Sequence, residues 1–170
     1  AELVLAGAAV RSLETAWLAS RAPAQSSMGP RIVALEELRS RASAHVHTRR
    51  VSRSELAARF PAVDFRHVRS ETDPIFTGET EGRAALDRRV AAFLKVLAAE
   101  PARIVAVVTH FTIFLTLFQS ADETLVVGRN PERPASGPPL FDCSRSAEPE
   151  RLRRFFEPGE IRSLVIVPAP

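Results

Sequence analysis

The sequence predicts an α/β fold with a mostly parallel sheet, because short apolar runs alternate with helical patterns along its 170 residues. Ile104–Val108 is apolar at every position and mostly β-branched, which is typical of a strand in the middle of a parallel sheet. A long amphipathic helix is predicted over Arg83–Ala99, where apolar residues recur at helical spacing: Leu86, Val90, Phe93, Leu94 and Leu97. The length suits one domain, spanning residues 1–170.

The amino-terminal part of the chain predicts two more strands with a helix between them. Leu3–Ala6 is an apolar run followed by the small residues Gly7–Ala9, which favours a buried strand and a tight turn. Arg11–Ala22 has helical spacing of its apolar residues, and Pro23 ends it. Ile32–Leu35 is the second short strand candidate.

The middle of the chain contains one short helix between less regular segments. Glu36–Ala44 is compatible with a helix or with an irregular segment. Ser52 and Glu55 have the spacing of a capping box, which predicts a helix that ends at Pro61. Phe65–Gly82 is polar and rich in turn-forming residues.

The last third of the chain predicts a helix, a long insertion and a final strand. Thr112–Phe118 continues as a helix after the apolar strand. Residues 128–150 are rich in Pro, Gly and Ser and predict a flexible insertion. Leu152–Phe156 is a candidate for a short helical turn, and Ser163–Val167 is the last strand candidate, closed by Pro168.

Composition and charge exclude several classes of protein. The formal net charge is +3, and no basic stripe with interleaved aromatic residues points to nucleic acid. The single cysteine, Cys143, excludes a disulfide framework and a cysteine-built metal site, and we expect no metal and no cofactor. No apolar run approaches the about 20 residues that span a bilayer, and no basic amino-terminal segment indicates a signal peptide. We therefore expect a cytoplasmic protein with no membrane or nucleic-acid partner.

Two polar residues follow predicted strands and suggest an anion site. His110 comes directly after Ile104–Val108, and Arg11 begins the helix after the first strand. Ligands of open α/β sheets bind beyond the carboxyl ends of the strands, and helix N-termini and guanidinium groups both favour phosphate there. The alternative is structural: a packed histidine and a solvated arginine at a helix start.

Several segments resemble motifs of one family. Leu3–Ala16 resembles a strand followed by Ser-Pro-Leu-x-Arg-Ala-x-Gln-Thr-Ala, and Val105–His110 resembles a strand that ends in Ser-His-Gly. These motifs belong to the histidine phosphatases, the phosphoglycerate mutase-like superfamily. Segments similar to its plant, fungal and algal branch are Arg49-Arg50, Phe60–Phe65, Glu71–Pro74, Arg89, Phe93 and Gly159–Ser163.

The resemblance implies a three-layer α/β/α sandwich and phosphoryl transfer through a phosphohistidine, without metal or cofactor. The substrate would be a small phosphomonoester. Arg11 would bind its phosphate, and His110 would bind and stabilise the phosphoryl oxygens as a catalytic residue. Such chemistry depends on positioning and on electrostatic stabilisation of the transferred group.

The chain also departs from the family pattern. The family's nucleophile lies in an Arg-His-Gly motif after its first strand, and this sequence contains no such motif, so the first strand–helix unit is missing. The general acid would fall at Arg39 or Ser40, and Glu37, beside Glu36, is our candidate because it is the nearest carboxylate. The alternative is that both glutamates are exposed helix charges. Phe111 replaces a glycine and is expected to crowd the phosphate loop.

Two interpretations of the missing nucleophile stay open. The chain is either a piece of a longer phosphatase, which the absent initiator methionine favours, or a diverged relative, which the altered acid position favours. In both cases we expect very low or no phosphatase activity from these residues. The alternative function is a non-catalytic phosphate-ligand or protein-binding module on the same fold. Without the family's first strand, Ile104–Val108 is expected to have one open edge. The sequence does not indicate an oligomeric state.

Overall fold

A computed structural model describes residues 1–20, 29–119, 125–126, 141–142, 154, 157–163 and 167–168. The elements are β1 (Leu3–Gly7), α1 (Val10–Ser20), β2 (Arg31–Leu35), a 3₁₀ helix (Val46–Thr48), α2 (Arg53–Arg59), β3 (Val63–Asp64), α3 (Arg83–Ala99), β4 (Val105–Val108), α4 (Phe111–Gln119), β5 (Leu125–Val126), β6 (Phe141–Asp142) and β7 (Val167–Pro168). Strands and helices alternate over most of this order, which confirms the α/β class. The chain divides into two compact units, and each is described by itself: Ala1–Gly82 with Pro101–His110, and Arg83–Glu100 with Phe111–Pro170.

The first unit is built on a four-stranded parallel sheet in the order β3-β2-β1-β4. All five residues of β1 are buried, because β1 lies between β2 and β4 and both of its faces are covered. Leu5 pairs in register with Val33 on one side and with Val107 on the other. The sheet is therefore parallel throughout the first unit, as predicted.

The position of β4 corrects one prediction. Ile104–Val108 was expected in the middle of the sheet, but among the described residues β4 pairs only with β1 and lies at the edge. Val105–Val108 are partly exposed, and Ile104 before them is 62% exposed. An all-apolar strand can be covered on both faces without having two neighbouring strands, so its composition does not determine its place in the sheet. Within the described ranges β4 has no second neighbouring strand.

One face of this sheet packs against α1 and α2. Helix α1 contacts β1, β2 and β4, and buries Leu13 and Ala16 completely. Apolar side chains that alternate along the strands complete this core, together with Leu56 and Phe60 of α2. The buried members contributed by the strands are Val4, Ala6, Ile32, Ala34 and Val63.

Helix α2 confirms the predicted amino-terminal cap. The hydroxyl of Ser52 accepts a hydrogen bond of 3.1 Å from the backbone N–H of Glu55, as in a capping box. The helix ends at Arg59, and Phe60 caps it just before Pro61. The two-residue strand β3, which follows, was not predicted because it is too short for a periodic pattern.

The second unit contains the long helix that the apolar spacing predicts. Helix α3 runs over the predicted Arg83–Ala99, packs against α4, and buries Leu86, Val90, Phe93 and Leu94. In the same unit, β5 pairs parallel to β6, and β6 pairs antiparallel to β7. Most of the predicted insertion at residues 128–150, the turn at residues 152–156 and residues 164–166 of the predicted last strand lie outside the described residues.

Candidate functional site

The carboxyl ends of three neighbouring strands meet at one edge of the sheet. Gly7 at the end of β1 pairs with Leu35 at the end of β2, and Ala6 pairs with Val108 at the end of β4. The segments that leave these ends carry all three residues predicted for the site, namely Arg11, Glu37 and His110. The parallel arrangement thus brings residues from distant parts of the sequence to the edge where α/β sheets bind ligands.

The backbone of Leu38 connects the three strand ends. The hydroxyl of Thr109 donates a hydrogen bond of 2.5 Å to the Leu38 carbonyl oxygen. On the other side, a Cβ atom added to Gly7 would lie 2.5 Å from the same oxygen and 3.3 Å from the Cα of Arg39. Only a residue without a side chain permits this approach, which explains the glycine at the end of β1.

His110 lies at this carboxyl edge of the sheet, two residues after the end of β4. Its residue is partly buried, and its Nε2 atom is inaccessible to water and has no hydrogen-bond partner among the described residues. Burial lowers the pKa of His110 below its ordinary 6.5, and the positive charge of Arg11 lowers it further. Of these two causes, burial has the larger effect. The imidazole is therefore neutral at pH 7.

Arg11 lies in the first turn of α1, and its side chain is exposed. Its charge influences His110, so the two residues lie within electrostatic range of each other. An exposed guanidinium close to a neutral imidazole can bind an anion, because the guanidinium supplies charge and the imidazole can accept a proton when the anion arrives.

The two candidate acids have different environments, and neither is an exposed helix charge. The segment that follows β2 is irregular, and both Glu36 and Glu37 are partly buried. Glu36 forms ion pairs with Arg39 at 3.0 Å and with Arg50 at 2.7 Å. The Oε2 atom of Glu37 is inaccessible to water. Glu37 stays our candidate acid, and Glu36 is paired with two arginines.

A buried cluster of ion pairs lies beside the site and was not predicted from the sequence. Its members are Glu36, Arg39, Arg50 and Asp73, and Arg39 is only 2% exposed. Arg39 donates to both carboxylate oxygens of Asp73 at 2.6 Å and to the carbonyl of Thr48 at 2.9 Å. The sequence contains only indirect signals for this cluster. Asp73 precedes a proline, which is typical of a turn, and Arg39 occupies the position expected for the general acid.

Arg50 holds the turn that contains Asp73. Its guanidinium is fully buried and forms an ion pair with Glu36. It also donates hydrogen bonds to the backbone carbonyls of Ser70, Val51, Glu71 and Thr72. The backbone N–H of Arg50 also donates to Asp73 at 2.7 Å. A guanidinium with several donors can organise a loop in this way without any secondary structure.

The protonation states of the cluster follow from these contacts. Burial by itself raises the pKa of Asp73, but hydrogen bonds from Arg39 and from the backbone of Arg50 and Ile75 hold this pKa well below its usual range. Burial lowers the pKa of Arg39, but Asp73 and Glu36 outweigh burial and raise it above its usual value. Asp73 and Arg39 are therefore both ionised at neutral pH.

Metal and membrane signals are both missing from the part of the chain that the structure describes. No group of three or more His, Cys, Asp or Glu side chains there is arranged to hold a metal ion. None of the helices in the described ranges has the length and apolar character needed to cross a bilayer. The three predicted residues of the described site offer a guanidinium, an imidazole and a carboxylate.

No family model, no curated protein and no solved structure matches this chain. The resemblance to the histidine phosphatases therefore rests on sequence motifs alone, chiefly Leu3–Ala16 and Val105–His110.

Proposed function

We propose that this chain is a histidine phosphatase-like domain that binds the phosphate group of a small phosphomonoester through Arg11 and His110. The observation that supports this most directly is electrostatic. The charge of Arg11 acts on His110, a partly buried imidazole at the carboxyl edge of a parallel sheet. This is the edge at which ligands of such sheets bind.

The chemistry of the two side chains suits a phosphate dianion. The exposed guanidinium of Arg11 can form a two-point contact with phosphate oxygens. A dianion beside His110 favours the imidazolium, which can then donate a charge-assisted hydrogen bond to a phosphate oxygen. In the proposed reaction these two groups stabilise the charge on the phosphoryl oxygens, and Glu37 is the proposed acid for the leaving oxygen.

A non-catalytic phosphate-binding or protein-binding module on the same fold is the second candidate function. Two observations favour it. The sequence contains no Arg-His-Gly motif, and the position expected for the acid is occupied by Arg39, which is buried in the ion-pair cluster. A site that keeps Arg11 and His110 but lacks the nucleophile would still bind a phosphorylated ligand, without turnover.

Calorimetric titration with inorganic phosphate tests the proposed ligand. We expect Arg11→Gln and His110→Gln each to weaken binding by about tenfold or more, the effect of one charge-assisted contact. Arg31→Gln is the matched control, because Arg31 is exposed at the opposite, amino end of β2. Equal affinity in the wild type and in both site variants would overturn the proposal.

Measurable turnover of an aryl phosphate would decide for the enzyme. These residues are expected to have very low or no activity on either interpretation, so phosphate binding without turnover supports the proposed ligand alone. Turnover that His110→Ala abolishes would favour the enzyme. Turnover that survives in His110→Ala would place the active site elsewhere and contradict the proposed roles of both residues.

A further inference from the structure

We propose that Thr109 and Asp73 are positioning residues for His110, connected to it through the backbone of Leu38. Thr109 would hold the segment that carries His110 against the Leu38 carbonyl, and Asp73 would hold Leu38 in place through Arg39. The inference rests on the proposed function for one point only, the phosphate ligand of His110. The position of His110 itself can be measured without a ligand.

The contact between Thr109 and Leu38 is the connection closest to His110. Its length of 2.5 Å marks a short, strong hydrogen bond between a hydroxyl and a carbonyl. Strand β4 ends immediately before Thr109 and pairs, within the described residues, with β1 alone. This hydrogen bond therefore holds the residue that directly precedes His110 against the Leu38 carbonyl.

Leu38 is held in place by the residues that pack closely around it. Its side chain is 0% exposed, and its backbone lies so close to Gly7 that no Cβ atom fits between them. The next residue, Arg39, is 2% exposed and spreads its guanidinium between Asp73, Glu36 and the Thr48 carbonyl. Moving Leu38 would require this buried guanidinium to move as well.

Asp73 is the last residue in the series of contacts that connects Thr109, Leu38 and Arg39. Besides the two hydrogen bonds from Arg39, its carboxylate accepts backbone N–H groups of Arg50, Ile75 and Phe76 at 2.7, 2.9 and 3.0 Å. Its side chain is 3% exposed. A carboxylate with this many donors cannot rotate without breaking several of them, so it fixes the orientation of the Arg39 guanidinium.

Nuclear magnetic resonance of the histidine imidazoles tests the proposal in the ligand-free protein. We expect Thr109→Val to release His110 toward water, so that the pKa of His110 rises toward about 6.5, the ordinary value. Phosphate affinity should fall by about tenfold, because the imidazole no longer aligns with Arg11. Thr109→Ser keeps the hydroxyl and should leave both the pKa and the affinity close to those of the wild type.

Asp73→Asn is expected to shift the pKa of His110 in the same direction. Glu71→Gln is the matched control, because Glu71 lies on the same turn but bonds Ser54 at the start of α2 instead of Arg39. If Asp73→Asn does not fold, two other comparisons test the proposal. Thr109→Val against Thr109→Ser tests the positioning role of Thr109. Arg39→Lys keeps the charge but loses the two-point geometry, and so tests the positioning role of Asp73.

The outcomes distinguish the two proposals. A wild-type protein that binds no phosphate would overturn the proposed function, while the pKa of His110 in the variants would still test the positioning. A pKa of His110 that stays at the wild-type value in folded Thr109→Val would overturn the positioning role of Thr109. The same result in folded Asp73→Asn or Arg39→Lys would overturn that of Asp73. A merely structural role would lower the free energy of unfolding without moving this pKa.

Discussion

Arg39 and Asp73 form a two-point ion pair in which both N–O distances are 2.6 Å and both side chains are almost completely buried. The residues are 34 positions apart in the sequence, so the pair connects the segment after β2 to the turn that follows Ser70. A buried pair of this kind is costly to break on one side only, because the remaining charge has no partner and no water.

We predict that Arg39→Met lowers the free energy of unfolding by about 3–5 kcal/mol, because Asp73 and Glu36 then lose a buried cation. Arg59→Met is the matched control: Arg59 pairs with Glu14, but the two side chains are 51% and 44% exposed. That exposed pair is expected to contribute about 1 kcal/mol or less. Urea denaturation of the three proteins measures the difference, and equal losses in the two variants would contradict the assigned role of the cluster.

The low pKa of Asp73 makes the stability of the protein sensitive to acid. The pKa of Asp73 in the folded state lies well below its unfolded value of about 3.9, so its stabilising contribution is complete above about pH 5. The contribution is lost progressively as the pH falls through about 4 toward the folded-state pKa. Between pH 5 and pH 3 we expect the wild type to lose about 1 kcal/mol more than Asp73→Asn. Denaturation midpoints that shift in parallel for the two proteins would refute this.

We predict that Gly7→Ala destabilises the protein by about 1–3 kcal/mol, because the added methyl group would overlap the Leu38 carbonyl. Gly82→Ala is the matched control, since nothing lies within 4 Å of a Cβ atom at that position. It should leave the stability unchanged or raise it by about 0.5 kcal/mol through the unfolded state. Thermal unfolding followed by circular dichroism compares the two, and a Gly7→Ala protein as stable as Gly82→Ala would show that the Leu38 segment can move.

Anion binding should take up a proton at His110. The pKa of free His110 is lowered by burial and by Arg11, whereas a bound dianion raises it. Sulfate affinity is therefore expected to increase as the pH falls through the bound-state pKa and to level off below the free-state pKa. Sulfate is a suitable probe because it stays divalent between pH 5 and about pH 8. In His110→Gln the affinity should be independent of pH, and the same pH dependence in both proteins would remove His110 from the anion site.

The secondary structure of this chain is largely determined by local sequence. Helix α3 has the predicted bounds because its apolar spacing repeats over several turns, and Ser52 caps α2 through an atom only three residues away. The strands β1 and β2 were recognisable as short apolar runs. The order of strands and polar residues along the chain also predicted that Arg11 and His110 meet at one edge of a parallel sheet.

Only the tertiary structure decided where β4 lies in the sheet, why β1 ends in glycine, and which charges are buried. Strand order depends on which edges pair in three dimensions, and the composition of Ile104–Val108 carries no information about its number of neighbours. Arg39 is an ordinary charged residue in the sequence, and its burial follows from Asp73, which only folding brings within hydrogen-bond distance. Local patterns determine backbone conformation through interactions over a few residues. Burial and pairing depend on contacts between segments tens of residues apart, and no periodicity along the chain records those contacts.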